Sequence, residues 1–149
     1  MVELLRRSVG AQIGAGCDGN GVAVRVPDLP AQYYVPCDQA PNTMIGHDPY
    51  TLWLAPDRAL QVGGAPPPGF VSDMTDGLAV FELSGPRARD VIAMSTTLAP
   101  PEPGACAQTL FGGVRVLIYP YGATFRIHVE RQLAAFLLAW FQQAASAQP

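Results

Sequence analysis

Residues 108–129 read QTLFGGVRVLIYPYGATFRIHV, and this stretch decides the fold of the chain. Gly112-Gly113 lies between two runs rich in β-branched and aromatic residues. Two adjacent glycines are typical of a two-residue hairpin turn, since both central residues of the favoured turn need positive φ. The runs on either side of Pro120-Tyr121-Gly122-Ala123 predict a second hairpin. Together they predict an antiparallel meander of three strands.

The pairing within the second hairpin follows from a symmetric closure around residues 120–123. Alternate residues of a strand point to opposite faces of the sheet, so the pairing fixes which side chains share a face. The pairs predicted on the apolar face are Val114 with Val129, Val116 with Ile127, and Ile118 with Phe125. The pairs predicted on the other, mixed face are Arg115 with His128, Leu117 with Arg126, and Tyr119 with Thr124. A sheet with one apolar and one mixed face is expected to be half-buried.

A strand and a helix precede the meander. Residues 78–83 form a short, mostly apolar run, and Ser84-Gly85-Pro86 follows it. Proline suits the first turn of a helix, because its missing N–H would have no partner there. The residues that then recur at helical spacing are Ala88, Val91, Ile92 and Ser95. They predict a helix with one buried stripe that ends before the prolines beginning at Pro100.

The last element is predicted to be a helix over residues 131–145. The residues predicted to pack on the chain's own sheet recur at i, i+3, i+4, i+7 and i+8, and they are Leu133, Phe136, Leu137, Trp140 and Phe141. The opposite side of this helix is also apolar, and a helix that is apolar all round is buried all round. That opposite side is therefore a candidate subunit interface, and its residues are Ala134, Ala135, Leu138 and Ala139.

The order of the elements predicts the fold class. A hairpin is predicted within residues 51–62, around the turn at Pro56-Asp57. The strand–helix–strand–strand–helix order that follows predicts an α+β fold, a split unit with an antiparallel sheet and helices on one side. Residues 1–49, which glycines and prolines interrupt, are predicted to be an irregular lead-in segment. Residues 50–149 are predicted to form the α+β domain of a single-domain chain.

Composition limits the classes of function. The chain has 149 residues, of which 49% are hydrophobic and only 14% are charged, where an average soluble domain has about 25% charged residues. The low charge favours a surface that is partly covered by a partner. A net charge of −3 argues against nucleic-acid binding, which needs a basic face. The absence of lysine excludes Schiff-base chemistry on this chain.

Neither a membrane nor an oxidising compartment is predicted. The longest apolar run, residues 133–141, is far shorter than the roughly 20 residues that span a bilayer. Cys17, Cys37 and Cys106 are odd in number and form no C-x-x-C pair. This pattern favours reduced thiols over a disulfide framework or a zinc site. The protein is therefore predicted to be cytoplasmic.

Histidines and carboxylates offer few candidates for chemistry. His47 and His128 are the only histidines, and neither has an acidic or cysteine partner nearby in sequence. Asp73 and Asp76 form the best carboxylate pair. They precede a strand, however, where aspartate commonly binds the N–H groups of a turn. The histidines are therefore predicted to have structural or surface roles, and the aspartates a turn role.

The remaining candidates are no stronger. Cys106 has no basic neighbour to activate its thiol, and Ser72 and Ser84 lie outside any nucleophile elbow. Trp53 and Trp140 are predicted to be core aromatic residues first and interface anchors second. No catalytic, cofactor-binding or metal-binding residue is predicted on this chain.

Three stretches carry a resemblance to a known family. They are residues 53–58 (WLAPDR), residues 71–91 (VSDMTDGLAVFELSGPRARDV), and residues 106–109 (CAQT) leading to Phe125-Arg126-Ile127. Together they resemble the gamma subunit of heterotetrameric sarcosine oxidase and, more distantly, the aminomethyltransferase (glycine-cleavage T-protein) fold. The resemblance covers about residues 50–145, and its most specific part is the serine–aspartate and Leu-Ser-Gly-Pro pattern of residues 71–91.

This resemblance implies a function without catalysis on this chain. The family forms a complex that oxidises an N-methylated amino acid to an imine. FAD, FMN, NAD and folate sites lie on the larger, flavin-binding oxidoreductase subunits, and the gamma chain contributes packing. The aspartate-containing folate segment of the T-protein is not recognisable before Thr51, which argues against folate chemistry here.

The expected function is therefore a structural or accessory subunit of a heteromeric flavin-dependent amine oxidase. A compact folate-dependent one-carbon carrier that acts alone is the alternative from the enzyme class. A small-molecule or partner-binding module on the same fold is a third hypothesis. The amine substrate and the number of partner chains do not follow from the sequence.

Overall fold

The computed structural model describes residues 17–19, 21–27 and 31–147. The strands of this part of the chain are β1 (Cys17–Gly19), β2 (Val22–Arg25), β3 (Gln32–Val35), β4 (Met44–Gly46), β5 (Tyr50–Ala55), β6 (Arg58–Val62), β7 (Ser72–Asp73), β8 (Leu78–Ser84), β9 (Ala107–Phe111), β10 (Val114–Tyr121) and β11 (Thr124–Glu130). The helices are α1 (Ala88–Ser95), a 3-10 turn (Arg131–Leu133) and α2 (Ala134–Ser146).

The strands form two antiparallel sheets that lie against each other. The six-stranded sheet has the order β1-β2-β8-β11-β10-β9, and the five-stranded sheet has the order β4-β5-β6-β3-β7. Both helices pack on one face of the six-stranded sheet. The five-stranded sheet covers part of the other face, where Leu52 and Leu60 meet Leu117 and Tyr119. The predicted α+β class, with helices on one side of an antiparallel sheet, is confirmed.

The stripe predicted for the first helix is confirmed. Its four residues, Ala88, Val91, Ile92 and Ser95, are all buried. Three of them join the main core with the β8 residues Phe81 and Leu83. The helix ends at Ser95, several residues before Pro100, because Thr96 leaves the helical conformation at φ −138° and ψ 159°.

The last helix is confirmed, and four of the five residues predicted to pack on the sheet contact the core, but Phe136 does not. The side chains that it buries are Ala134, Leu137, Leu138, Phe141 and Ala145. Phe136, which was predicted to pack on the sheet, is 54% exposed, whereas Leu138 is 6% exposed. A helix with apolar residues on all sides gives no periodic signal that selects the buried stripe. The packed stripe is therefore rotated toward Ala134 and Leu138.

The two predicted turns of the meander form, but the second has a different register. β10 and β11 pair Val116 with Val129 and Ile118 with Ile127, two residues away from the prediction. The turn contains only Gly122 and Ala123, so the strands continue through Tyr121 and Thr124. A shift of two residues leaves every side chain on its predicted face, because the strand period is two.

The shift changes the neighbours of the mixed face. His128 lies opposite Leu117 rather than the predicted Arg115, and Arg126 lies opposite Tyr119. The hairpin predicted within residues 51–62 is confirmed as β5 and β6, with Leu52 opposite Leu60.

Residues 17–46 contribute more structure than was predicted. β2 pairs with β8 in the six-stranded sheet, and β3 lies between β6 and β7 in the five-stranded sheet. An irregular lead-in is therefore wrong for these strands, although residues 1–16, 20 and 28–30 lie outside the described residues. Short strands escape notice between glycines and prolines because each depends on partners far away in sequence. The predicted division at residue 49 stays a prediction.

Candidate functional site between the two sheets

A chain of polar side chains joins the facing surfaces of the two sheets. Tyr119 of β10 and His128 of β11 point away from the helices, because Ile118 and Ile127 fill the core on that side. They meet Gln32 of β3 and Tyr50 of β5, which belong to the five-stranded sheet. All four side chains are buried. The facing sheets therefore share a hydrogen-bonded core as well as an apolar one.

The hydrogen bonds of this chain are short and continuous. His128 Nδ1 lies 2.8 Å from Gln32 Oε1, and His128 Nε2 lies 2.8 Å from the Tyr119 hydroxyl. The Tyr119 and Tyr50 hydroxyls lie 2.6 Å apart, and Arg126 Nη1 donates to the Tyr50 oxygen at 3.1 Å. Among the described residues, no buried side-chain nitrogen or oxygen lacks a partner. We call Gln32, Tyr50, Tyr119, Arg126 and His128 the inter-sheet network.

The groups at the two ends of the network determine which atom donates in each hydrogen bond. The Leu78 carbonyl can only accept, so the Gln32 amide nitrogen donates to it at 3.4 Å. Gln32 Oε1 then accepts from His128 Nδ1, which leaves Nε2 to accept the Tyr119 proton. At the other end Arg126 can only donate, so Tyr50 accepts from it and donates to Tyr119. Every donor thus points from Arg126 toward Leu78, an arrangement in which neighbouring hydrogen bonds strengthen one another.

A charged cluster closes the arginine end. Arg126 Nε donates to Glu82 Oε2 at 3.2 Å, and Arg25 Nη2 donates to Glu82 Oε1 at 3.2 Å. The side chains of Arg126 and Glu82 are 13% and 12% exposed, whereas that of Arg25 is 64% exposed. The Arg126 guanidinium also lies 3.7 Å from the centroid of the Tyr121 ring. These contacts fix the guanidinium where it meets Tyr50.

Burial keeps the network in its neutral forms. Burial, and to a lesser extent the nearby Arg126 charge, lowers the pKa of His128 to about 3. Burial raises the pKa of Tyr50 and raises that of Tyr119 well above its ordinary value. A general acid or base works best with a pKa near the operating pH. The pKa values of these groups lie far from neutrality, so the network fits a structural role in which it joins the two sheets.

A small cavity lies beside His128. It has a volume of about 100 Å³, and Leu54, Leu60, Leu78 and Leu117 are among its lining residues. Arg115, Gln108 and Glu130 also line it. Both ring nitrogens of His128 are already bound within the network, so His128 has no free nitrogen for a ligand in this cavity.

The structure separates the two predicted histidine candidates. His47 is exposed, and its ring lies parallel to that of Tyr121 with centroids 6.4 Å apart. The predicted turn role of Asp73 is confirmed, since its Oδ1 accepts the Thr75 N–H at 3.0 Å. The Asp76 carbonyl accepts from Arg131 Nη1 at 3.2 Å.

The sulfur and hydroxyl candidates occupy ordinary structural positions. Cys106 is buried, and burial raises its pKa to about 11, which disfavours the reactive thiolate. Ser72 lies in the two-residue strand β7, and Ser84 ends β8. Trp53 packs against the core between the sheets, and Trp140 packs against the core beneath the helices. Trp140 Nε1 also donates to Ser95 Oγ at 3.0 Å.

The four residues of the predicted subunit interface fall on two sides of α2. Ala134 and Leu138 belong to the chain's own core, at 2% and 6% exposed, so they offer almost no surface to a partner. Ala135 and Ala139 are exposed beside Phe136. For these two alanines, contact with another subunit stays a prediction.

Sequence reasoning missed Gln32 and Tyr50 as members of the network. Gln32 and His128 are 96 residues apart, and Tyr50 and Tyr119 are 69 residues apart. The available signal was the mixed face of the meander, where Arg126 and His128 lie two residues apart on one strand and Tyr119 lies on the facing strand. Large polar side chains on one face of a strand pair indicate either solvent or a second polar layer.

No group of three or more histidine, cysteine, aspartate or glutamate side chains within residues 17–19, 21–27 and 31–147 is arranged to hold a metal ion. Over the same part of the chain, neither helix has the length and apolar character that crossing a membrane requires.

Comparison with known proteins finds similar solved structures but no match by sequence. No protein-family model and no curated protein matches the sequence. A chain of the heterotetrameric sarcosine oxidase from Corynebacterium sp. U-96, solved in complex with pyrrole 2-carboxylate, has a similar structure with a TM-score of 0.75. The match covers 97% of each chain at 17% sequence identity. The chain therefore has a sarcosine oxidase subunit-like fold.

Proposed function

We propose that this chain is a non-catalytic accessory subunit of a cytoplasmic, hetero-oligomeric amine oxidase whose larger subunits bind flavin. The observation that carries the proposal is the match to a chain of a heterotetrameric sarcosine oxidase over 97% of both chains. Because the match also covers 97% of that chain, it supports comparison with a subunit chain of such a complex. The role proposed for this chain is to pack against the larger subunits.

The chemistry of the described residues supports a non-catalytic role. His128 and Tyr119 are buried, and the pKa of each is shifted away from neutrality. The polar side-chain atoms of both residues already form hydrogen bonds within the network. A proton-transfer group must reach a substrate, and these two side chains lie between sheets. FAD, FMN, NAD or folate would accordingly lie on partner subunits, and this chain alone would carry none.

The apolar surface of α2 supports a partner. Its sequence, AAFLLAWFQQAAS, contains no charged residue, although Ala135, Phe136 and Ala139 are exposed. An exposed helix face normally carries charged or polar residues. Together with the chain's overall charge content of 14%, this favours a covered helix surface in the assembled protein.

The folate-carrier alternative receives less support. Pockets for cofactor-sized ligands usually have volumes of about 300–1,000 Å³. The cavity beside His128, at about 100 Å³, lies below this range, and the groove lined by Tyr34, Arg58 and Phe70, at about 360 Å³, lies at its lower end. Titration of the isolated chain with a reduced folate separates the two hypotheses, because binding would favour the stand-alone carrier.

Affinity isolation from the source organism tests the proposed function. The tagged chain should bring down larger chains that carry flavin absorption, and an N-methylated amine should bleach that absorption as the flavin accepts two electrons. The tagged chain expressed alone serves as control and should be colourless. Recovery without a flavoprotein partner would contradict the proposal, and flavin bound to the lone chain would contradict its non-catalytic part.

A further inference from the structure

Phe70 is far more exposed than the other large apolar side chains of the described residues. It is 97% exposed, whereas the next, Leu110, is 59% exposed. Single exposed apolar residues are common on protein surfaces. A phenylalanine that is exposed almost entirely to water is less common, and burying its ring in a partner would gain about 1.5–3 kcal/mol.

The loop that presents Phe70 is held at both ends. On one side, Gln61 Nε2 donates to the carbonyls of Gly63 and Ala65, each at 2.9 Å. On the other side, Ser72 pairs with Tyr34 in the sheet. Between these anchors lie three consecutive prolines at residues 66–68. Prolines restrict φ, so such a loop loses little conformational entropy when a partner binds.

Gly69 gives this loop the turn that directs Phe70 outward. Its φ of +107° lies in a region that residues with a side chain rarely adopt. An added Cβ at Gly69 would meet nothing within 4 Å, so the glycine is required by the backbone conformation and not by close packing.

A groove that contains one arginine and one aspartate lies beside Phe70. It has a volume of about 360 Å³ and is lined by Tyr34, Val35, Pro36, Asp57, Arg58, Phe70 and Ser72. The Arg58 guanidinium lies 5.2 Å over the Tyr34 ring. In the described part of the chain no carboxylate is bound to it. Tyrosine and arginine, with tryptophan, are the residues enriched at the energetic centres of protein interfaces.

We propose that Phe70 and Arg58 form a docking surface for a folded protein partner, which receives Phe70 in an apolar pocket and places a carboxylate against Arg58. The stiff loop supplies the protruding anchor, and Tyr34 holds the guanidinium flat beside it. This surface is formed by the five-stranded sheet and the loop that precedes β7. The inference rests on the proposed function, since the partner is the larger subunit of that complex.

The test uses the tagged full chain and the complex that it forms in its source organism. Phe70→Ser and Arg58→Glu change the docking surface, and Leu110→Ser is the matched control, since Leu110 is also exposed but lies in β9. Thermal melts of the lone chains should be unchanged for all three variants. Retention of the larger subunits should fall at least about 30-fold for Phe70→Ser. For Arg58→Glu, the loss of retention should be larger at low salt than at high salt. For Leu110→Ser, retention should stay within about twofold of the wild type.

The outcomes separate this inference from the proposed function. If the wild-type chain isolates a flavoprotein partner and Phe70→Ser retains it equally well, the docking surface is overturned while the proposed function stands. If the wild-type chain isolates no partner, the proposed function fails, and this inference fails as well. If the wild-type chain instead forms a homo-oligomer that Phe70→Ser dissociates, the docking surface binds a second copy of this chain. That result would overturn the hetero-oligomeric inference.

Discussion

At the scale of single residues, the inter-sheet network shows how position determines the role of a histidine. His128 is 2% exposed, and each of its ring nitrogens binds one side chain, Gln32 or Tyr119. In sequence, His128 differs little from His47, which lies on the surface. The alternation of β11 could predict the face on which His128 lies. It could not predict Gln32 as its partner, because that contact depends on a strand 96 residues away.

Removing one hydroxyl should reveal the contribution of the network to stability. Tyr119→Phe takes a proton donor from His128 and an acceptor from Tyr50, and both groups remain buried. We expect the free energy of unfolding to fall by about 1–3 kcal/mol, the cost of leaving buried polar groups unpaired. Tyr33→Phe removes a hydroxyl from a partly exposed tyrosine of β3. This control should change the free energy of unfolding by less than about 0.5 kcal/mol. Urea unfolding of the lone chain measures both, and equal effects would contradict a special role for Tyr119.

The network should also make stability depend on pH. The pKa of His128 is about 3 in the folded chain, against about 6.5 for an exposed histidine. The unfolded chain therefore binds more protons between these values, so stability is fully present above pH 6.5 and falls as the pH drops toward 3. By pH 5 we expect His128 to account for a loss of about 2 kcal/mol.

Urea unfolding at several pH values measures that loss. His128→Gln should be less stable than the wild type at pH 7, yet it should lack this part of the decline between pH 7 and pH 5. A variant whose stability falls as steeply as that of the wild type would show that other groups cause the decline.

At the scale of elements, the hairpins show which parts of a register a sequence can predict. Gly112-Gly113 correctly predicted the first turn, and its residues have φ values of 57° and 86°. In the second hairpin, the four-residue turn was wrong because Pro120 and Tyr121 stay in β10. Gly122 followed by Ala123 was the overlooked signal, since glycine at the first position is typical of a two-residue type II′ turn.

The two glycines of the first turn allow a matched comparison. Gly112 and Gly113 have φ values of 57° and 86°. A Cβ at Gly112 would lie 2.9 Å from Cδ2 of Trp140, whereas a Cβ at Gly113 would meet nothing within 4 Å. Gly113→Ala should therefore cost only the backbone strain, about 1 kcal/mol. Gly112→Ala should cost at least about 1 kcal/mol more, because the indole ring must move. Equal changes in urea unfolding would contradict this packing.

The two sides of α2 should respond differently to a charge. Leu138→Asp would bury a carboxylate in the core and should lower the stability of the lone chain by more than about 3 kcal/mol. Phe136→Asp, at a side chain that is 54% exposed, should change it by less than about 0.5 kcal/mol. Thermal melts compare the two variants. If the exposed face of α2 contacts a partner, Phe136→Asp should still weaken the isolated complex, as judged by size-exclusion chromatography.

At the scale of the whole molecule, the fold class could be predicted but the second sheet could not. The helices, the meander and β8 are close in sequence, so periodicity and turn residues revealed them. The five-stranded sheet draws β3, β4 and β7 from regions that glycines and prolines interrupt. Such short strands gain stability only by pairing with distant neighbours, and a single sequence does not reveal those pairings.

Native mass spectrometry of the complex from the source organism tests whether this chain assembles with larger subunits. We expect the 15.8 kDa chain in a particle with larger, different chains, and we expect that particle to retain a flavin. On mild dissociation, the chain should leave as an apoprotein of its sequence mass, with the flavin remaining on the other chains. A particle that contains only this chain, as a monomer or as a homo-oligomer, would contradict the account.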